Sequence, residues 1–287
     1  MLLVQQLLNG IQFGLMLFLM AAGLTLVFGI VNLINLAHGS LYMLGAFIGV
    51  SIQQWTGSYL WALVLAIPAT ALVGIAMEVT TLRTLYSRPR LDQVLCTFGL
   101  ILFLNEIAKI IWGPASLRMK LPAFLNGTIT FAPGLTYPTF RLAVIVAGLL
   151  VAALLYVLIT RTRIGMLIRA GASDRGMVAA LGVDIKTLFT LVFGLGAALA
   201  GLAGIMAAPI YSVQVGMGDG IVILTLVVIV IGGIGSVRGA LAASLLVGIV
   251  DTYARVLLPA SVGQICIYVL MAGLLFARPR GLLPANV

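Results

Sequence analysis

The chain's single histidine, His38, stands in the stretch 32–43, NLINLAHGSLYM, with Asn32 and Asn35 as polar neighbours between two strongly apolar runs. An imidazole works as general base, proton shuttle or metal ligand when a carboxylate or second ligand is close, and none is near it in sequence. Two readings of this polar island stay open. In the first, His38, Asn32 and Asn35 bond backbone carbonyls where two helices meet. In the second, Gly29, Asn32, Asn35 and Gly39 mark an interrupted helix whose freed backbone groups face a path or a partner, with His38 a hinge or gate residue and not a proton donor.

The other ionisable groups inside apolar runs are few. Glu106 and Lys109 stand three apart and Asp251 and Arg255 four apart, spacings at which each pair can neutralise itself on one helix face. Glu78 is expected to reach an interface near Arg83. Intramembrane charges default to functional hypotheses, but self-pairing near the span ends is the simpler expectation, and no unpaired midplane carboxylate is evident. The sequence has no GxxxxGK[ST] loop, no HExxH and no Cys/His cluster, so neither an enzyme, a cofactor nor a metal is expected. Cys96 and Cys266 lie in apolar runs and read as buried thiols.

The elements carrying these residues are membrane helices. Of 287 residues, 62% are hydrophobic and 8% charged, far from the balance of a soluble domain. The apolar runs are continuous and of helical length, so the fold class is all-α, a polytopic transmembrane bundle of eight or nine spans. Candidate spans are 8–30, 36–54, 61–82, 93–113, 139–160, 188–209, 221–237, 240–258 and 264–277. The opening MLLVQQLLNG lacks the basic region of a signal peptide and is expected to be retained. A net charge of +9 suggests nucleic acid in a soluble protein; here the basic residues fall between apolar runs. Arg83, Arg88, Arg90, Arg161, Arg163, Arg169, Arg175, Lys186, Arg238, Arg278 and Arg280 fall on one side of the expected topology, which the positive-inside rule makes cytoplasmic. The C-terminus is then inside, the N-terminus outside if there are nine spans, and 114–138 an external loop. Asp184 and Asp219 read as helix caps. Gly196, Ala200 and Gly204, with Ala197 and Gly201, have the four-residue spacing of a close helix seam. The Gly-rich stretch 232–244, GGIGSVRGALAAS, resembles 29–40 as a polar interruption.

The segment 161–187 is the most informative part outside the spans. Ser173 is expected to cap a helix of about two turns starting at Asp174, with Met177, Val178 and Leu181 on its apolar side and Gly182 ending it. Asp174 and Arg175 are then exposed. Both a plain amphipathic linker and a partner-docking helix fit, and the mixed charge of an ordered segment favours docking.

Four stretches, GLTLVFGIVNLINLAHGSLYMLGAF at 23–47, RAGASDRGMVAALGV at 169–183, GLGAALAGLAG at 194–204 and GGIGSVRGALAAS at 232–244, resemble the Liv-type branched-chain amino-acid ABC-transporter permease family, in its shorter permease subunit. The resemblance implies a single permease domain over 1–287, in a bacterial inner membrane, working with a second related permease, two cytoplasmic ATPases and a periplasmic solute-binding protein. It implies that Arg169, Ala170, Ala172, Asp174, Leu181 and Gly182, with Ser173 and Arg175 between them, form the ATPase-coupling segment. Gly171 and Gly176 depart from the bulkier residues usual there. Alternating access would carry branched-chain amino acids or similar small solutes, with affinity residing in the binding protein. The family also moves urea, amides and aromatic acids, so the solute is not fixed. The rival reading is a passive channel for small neutral solutes such as urea, faintly suggested by Asn35–Ala37.

Overall fold

A computed structural model describes residues 2–31, 33–132 and 135–283; Asn32 therefore lies outside the described residues. Among them the chain forms eleven α-helices: α1 (Leu2–Val31), α2 (His38–Thr56), α3 (Tyr59–Thr80), α4 (Arg90–Trp112), α5 (Thr139–Arg161), α6 (Arg163–Ser173), α7 (Arg175–Ala180), α8 (Ile185–Ala207), α9 (Met217–Gly232), α10 (Val237–Leu257) and α11 (Ala260–Ala277). One antiparallel hairpin, β1 (Thr128–Ala132) with β2 (Leu135–Pro138), precedes α5. It lies where a plain loop was expected. Six helices, α1, α3, α4, α5, α8 and α10, are long and apolar enough to cross a membrane by length and composition, and α9 and part of α11 are shorter apolar helices.

Local chemistry sets the helix ends. Gly57, at φ 71°, closes α2 by donating its N–H to the Gln53 carbonyl, a conformation that costs a residue without Cβ little. Pro89 precedes α4, and Asp92 in its first turn complements the free N–H groups. Asp184 caps α8, accepting from the Lys186 N–H at 3.0 Å and from the Thr187 hydroxyl. The cap expected at Asp219 is not there: α9 begins two residues earlier behind Gly216, whose φ of +81° turns the chain, and Asp219 lies inside the first turn.

The bundle is built around α1. In its most apolar window 89% is buried, against 17% in α4 and α5, so α1 is the core and those two lie at the periphery with most of their surface exposed. Glycines let α1 meet its neighbours backbone to backbone. A Cβ on Gly248 of α10 would stand 2.5 Å from the Gly14 backbone, and one on Gly23 would stand 2.7 Å from the Gly196 carbonyl of α8. The seam read at 194–204 is used in this way, since a Cβ on Gly204 would strike the Tyr42 carbonyl of α2 and one on Gly201 would meet Thr70 of α3 at 2.7 Å. Peripheral α4 is held to α2 by Trp112, which stacks on Phe47 at 4.9 Å and donates to the Ser51 hydroxyl at 2.7 Å.

Candidate functional site

Residues 33–37 link α1 to α2 without helix, and α1 runs unbroken through Gly29 to Val31. Asn35 and His38 are wholly enclosed, and among the described residues neither the Asn35 amide nor either His38 nitrogen has a hydrogen-bond partner of good geometry; Thr25 Oγ1 and Ser40 Oγ are in the same condition. Asn35 therefore does not make the backbone bond expected of it, whereas the Met20 carbonyl of α1 bears on the His38 imidazole. Helix α1 passes so close that a Cβ on Gly23 would stand 3.1 Å from His38 Nε2. Gly39 fills a backbone contact, since a Cβ there would strike the Gly218 carbonyl of α9. Gly29 faces Gly235, so the two interruptions that resemble each other in sequence meet at one end of the bundle.

The same end carries α6 and α7. Thr162 caps α6 by accepting from the Gly165 N–H at 3.1 Å, and Gly165 lies against the Leu158 and Ile159 carbonyls where no side chain fits. Ser173 is the last residue of α6 and not a cap; Asp174 is the N-cap of α7, accepting from the Met177 N–H at 3.0 Å. The physical reason is that the chain turns extended at Asp174, φ −149°, so its own carboxylate reaches the first free N–H. Gly182, at φ +84°, follows the end of α7. Val178 packs inward, whereas Met177 and Leu181 are exposed at 60% and 76%. The expected apolar side therefore divides between core and solvent. Arg169 donates to the Ile159 carbonyl, Ala170 is half-buried, Ala172 is exposed, and Arg175 lies over the Phe189 ring at 5.7 Å.

A buried ionic knot stands beneath this segment. Glu78 does not reach an interface: it is fully buried and accepts from Arg83 Nε at 3.1 Å, Arg83 Nη2 at 3.0 Å, the Tyr86 hydroxyl at 2.8 Å and Thr190 Oγ1 at 2.9 Å. Its four donors join the end of α3 to the start of α8. Tyr86 also packs edge-on against Phe189, the ring beneath Arg175.

At the opposite end, a cavity of about 740 Å³ opens among α1, α5, α10 and the α8–α9 link. Gln6, Asn9 and Gln12 line it from α1, Arg141 from α5, Tyr211 from the link, and Asp251 and Arg255 from α10. Arg141 donates to Asn9 Oδ1 at 2.6 Å, and Arg255 Nε donates to Asp251 Oδ2 at 2.7 Å. The self-pairing expected of Asp251 and Arg255 is present, as is that of Glu106 and Lys109. Desolvation raises the Tyr211 pKa, Arg141 and Arg255 oppose the rise and Asp251 adds to it, so all three charges bear on one hydroxyl. The sequence reading passed over this site. Its signal was present in Gln6, Asn9 and Gln12, three apart on one face of an apolar helix. Cys96 and Cys266 are free and half-buried. Among the described residues no three His, Cys, Asp or Glu side chains are grouped to hold a metal.

The profile of the family described as branched-chain amino acid transport system / permease component matches residues 6–276. The chain is 30% identical to the high-affinity branched-chain amino acid transport system permease protein BraD of Pseudomonas aeruginosa, over 98% of this chain and 95% of that one. It is 29% identical to LivH of Escherichia coli K12, a protein of the same description, with the same coverage. A solved chain described as a metal-chelate type ABC transporter in an inward-facing conformation superposes with TM-score 0.48 at 20% identity, covering 96% of this chain and 85% of that one, a likeness too distant to bear on function. With a family match over nearly its full length, the chain belongs to the branched-chain amino acid transport system permease family.

Proposed function

We propose that the chain is one permease subunit of an ATP-binding-cassette importer, forming with a related permease the path for branched-chain amino acids or similar small solutes. Nine helices, α1 to α5 and α8 to α11, cross a bacterial inner membrane as one permease domain. The N-terminus is outside and the C-terminus inside, because this topology puts the basic connections on the cytoplasmic side. Residues 114–138, with their hairpin, are then external. Two cytoplasmic ATPases supply the energy, and a periplasmic binding protein delivers the solute.

The observation that carries this reading is the α6–α7 segment. Two short capped helices stand outside the long apolar ones and present Met166, Met177 and Leu181 beside exposed arginines. Exposed apolar side chains on an ordered polar segment are the mark of a docking surface. Arg169, Ala170, Ala172, Ser173, Asp174, Arg175, Leu181 and Gly182 form the coupling surface. Movement of α7 is passed through Arg175 and Phe189 to α8 and the Glu78 knot. Gly29, Asn35, His38 and Gly39 form a hinge between α1 and α2 at the cytoplasmic end.

Reconstitution tests the reading. Uptake into vesicles should require ATP, the second permease, the ATPases and the binding protein. Leu181→Asp, at a side chain free of the core, should abolish co-purification of the ATPases while membrane insertion is unchanged. Gradient-driven uptake by this chain alone would overturn the assignment in favour of a channel.

A further inference from the structure

The sixteen basic residues divide unevenly across the proposed topology, with eleven of them cytoplasmic. Of the five others three are committed: Lys109 pairs with Glu106, Arg255 pairs with Asp251, and Arg141 donates to Asn9. Arg118 and Lys120 are exposed, and their side chains have no acceptor among the described residues. Membrane proteins keep cations off their external loops, so two such residues on one short run, with nothing in the chain to pair them, point to a partner outside it.

The run that carries them is pinned at three places. Leu117 exchanges two backbone hydrogen bonds with Val213 of the α8–α9 link, at 2.8 and 2.9 Å. The Met119 side chain is 5% exposed and reaches Gly49 of α2 beside Ile205 of α8. The Gln53 amide, in the last turn of α2, holds both backbone groups of Lys120: Nε2 donates to the Lys120 carbonyl at 2.7 Å, and Oε1 accepts from the Lys120 N–H at 2.8 Å. Burial alternates along the run, so with Met119 turned inward Arg118 and Lys120 project together on the outer face. Two charges fixed before a partner arrives need no ordering when it docks. Their place also decides the kind of partner. The run crosses α2, which is almost wholly buried from His38 to Val50, and α8, buried over 72% of its apolar window. The cations therefore stand over the interior of the bundle and away from its periphery, where a soluble protein coming from outside meets them and a lipid headgroup does not.

We propose that Arg118 and Lys120 form a cationic docking platform for an acidic face of the solute-binding protein, with Gln53 setting their position. The inference rests on the permease reading and deepens it by giving the delivering protein its seat. Attraction between the two surfaces speeds their encounter, and the pinned run fixes which face of the binding protein meets the outer ends of α2 and α8.

The test uses the complete assembly in nanodiscs of zwitterionic phosphatidylcholine, with the binding protein that supports its uptake, and follows docking by biolayer interferometry at low and high salt. Wild-type docking should weaken about tenfold in high salt, chiefly through slower association. Arg118→Glu with Lys120→Glu should weaken docking at low salt by about tenfold or more and flatten its salt dependence, whereas Arg118→Lys should keep most of it. Gln53→Ala keeps both charges and frees the run, so docking should fall about threefold with the salt dependence intact. Salt-independent wild-type docking, a measurement that needs no variant to fold, would overturn the proposal. So would unchanged docking in a double variant that still retains the ATPases, or a loss seen only when phosphatidylglycerol is added to the nanodiscs, which would assign the two cations to an anionic lipid. ATP-driven uptake separates the two claims: uptake with docking indifferent to these residues removes only the platform, whereas no uptake by the complete assembly removes the permease reading itself.

Discussion

Replacing Gly248 with alanine puts a methyl group where α10 already touches α1. The new Cβ would lie 2.5 Å from Gly14 Cα and N and 2.6 Å from the Gly10 carbonyl, against 3.4 Å for ordinary contact. The two helices must therefore part by about 0.9 Å, a gap that forfeits a quarter to a half of the dispersion energy of each contact across it. All three obstacles are backbone atoms, so no side chain can rotate away. Overpacking at the upper end of its usual range costs about 3 kcal/mol, and the better helix propensity of alanine returns about 0.5–1 kcal/mol. The net loss is about 2 kcal/mol, or about 4–8 °C in Tm for a chain of this size class. Thermal unfolding of the purified chain in detergent, followed by tryptophan fluorescence, reads this directly. The controls are Gly99→Ala in α4 and Gly273→Ala in α11, where nothing lies within 4 Å of the added methyl; these should be neutral or slightly more stable. A Gly248→Ala protein that unfolds with the controls would refute the backbone contact between α1 and α10.

Three further perturbations probe the other features. Glu78→Gln removes the charge to which four hydrogen bonds converge and should lower stability by about 1.5–3 kcal/mol; a neutral result in the same melt would mean that the knot is not formed. Asp174→Ala should speed hydrogen exchange in α7 about fivefold, the effect of one lost cap near 1 kcal/mol, while Ser173→Ala leaves it unchanged; the reverse order would restore Ser173 as the cap. Hydrogen bonding from Thr187 holds the Asp184 carboxyl below its ordinary value of 3.8, so the folded state binds fewer protons there than the unfolded one. Its contribution is complete above that value and lost as pH falls through the lower folded value. The melting advantage of wild type over Asp184→Asn should therefore hold from pH 5 to 8 and shrink below about pH 4; growth on acidification would contradict this.

Much of the architecture could be read from apolar run length, because lipid forces the backbone to satisfy itself and a helix is the local solution. The runs at 139–160 and 188–209 fold as α5 and α8 within three residues of the expected limits. Errors fall where a boundary depends on one turn: Gly216 at positive φ starts α9 before Asp219, and the extended backbone at Asp174 takes the cap from Ser173. The hairpin at 128–138 was marked by the alternation of TITFA before a Pro-Gly pair, a period-two signal obscured by its brevity. The cavity among α1, α5 and α10 was missed for a different reason. Asp251 and Arg255 pair on one helix and so look self-sufficient in sequence, while the oxygen left over and Arg141, brought in from another helix, are visible only in three dimensions.

The burial of α1 bears on how the protein is made. Of the helices described, the one made earliest is the innermost of the bundle, but its backbone partners Gly196, Ser244 and Gly248 lie some two hundred residues later. Until α8 and α10 are inserted, Gln6, Asn9 and Gln12 face lipid without the walls that shelter them, an expensive exposure for polar side chains. Such long sequence separation makes closure slow. The nascent chain must therefore hold an unfinished central helix through most of its synthesis, and late-made α10 completes its burial.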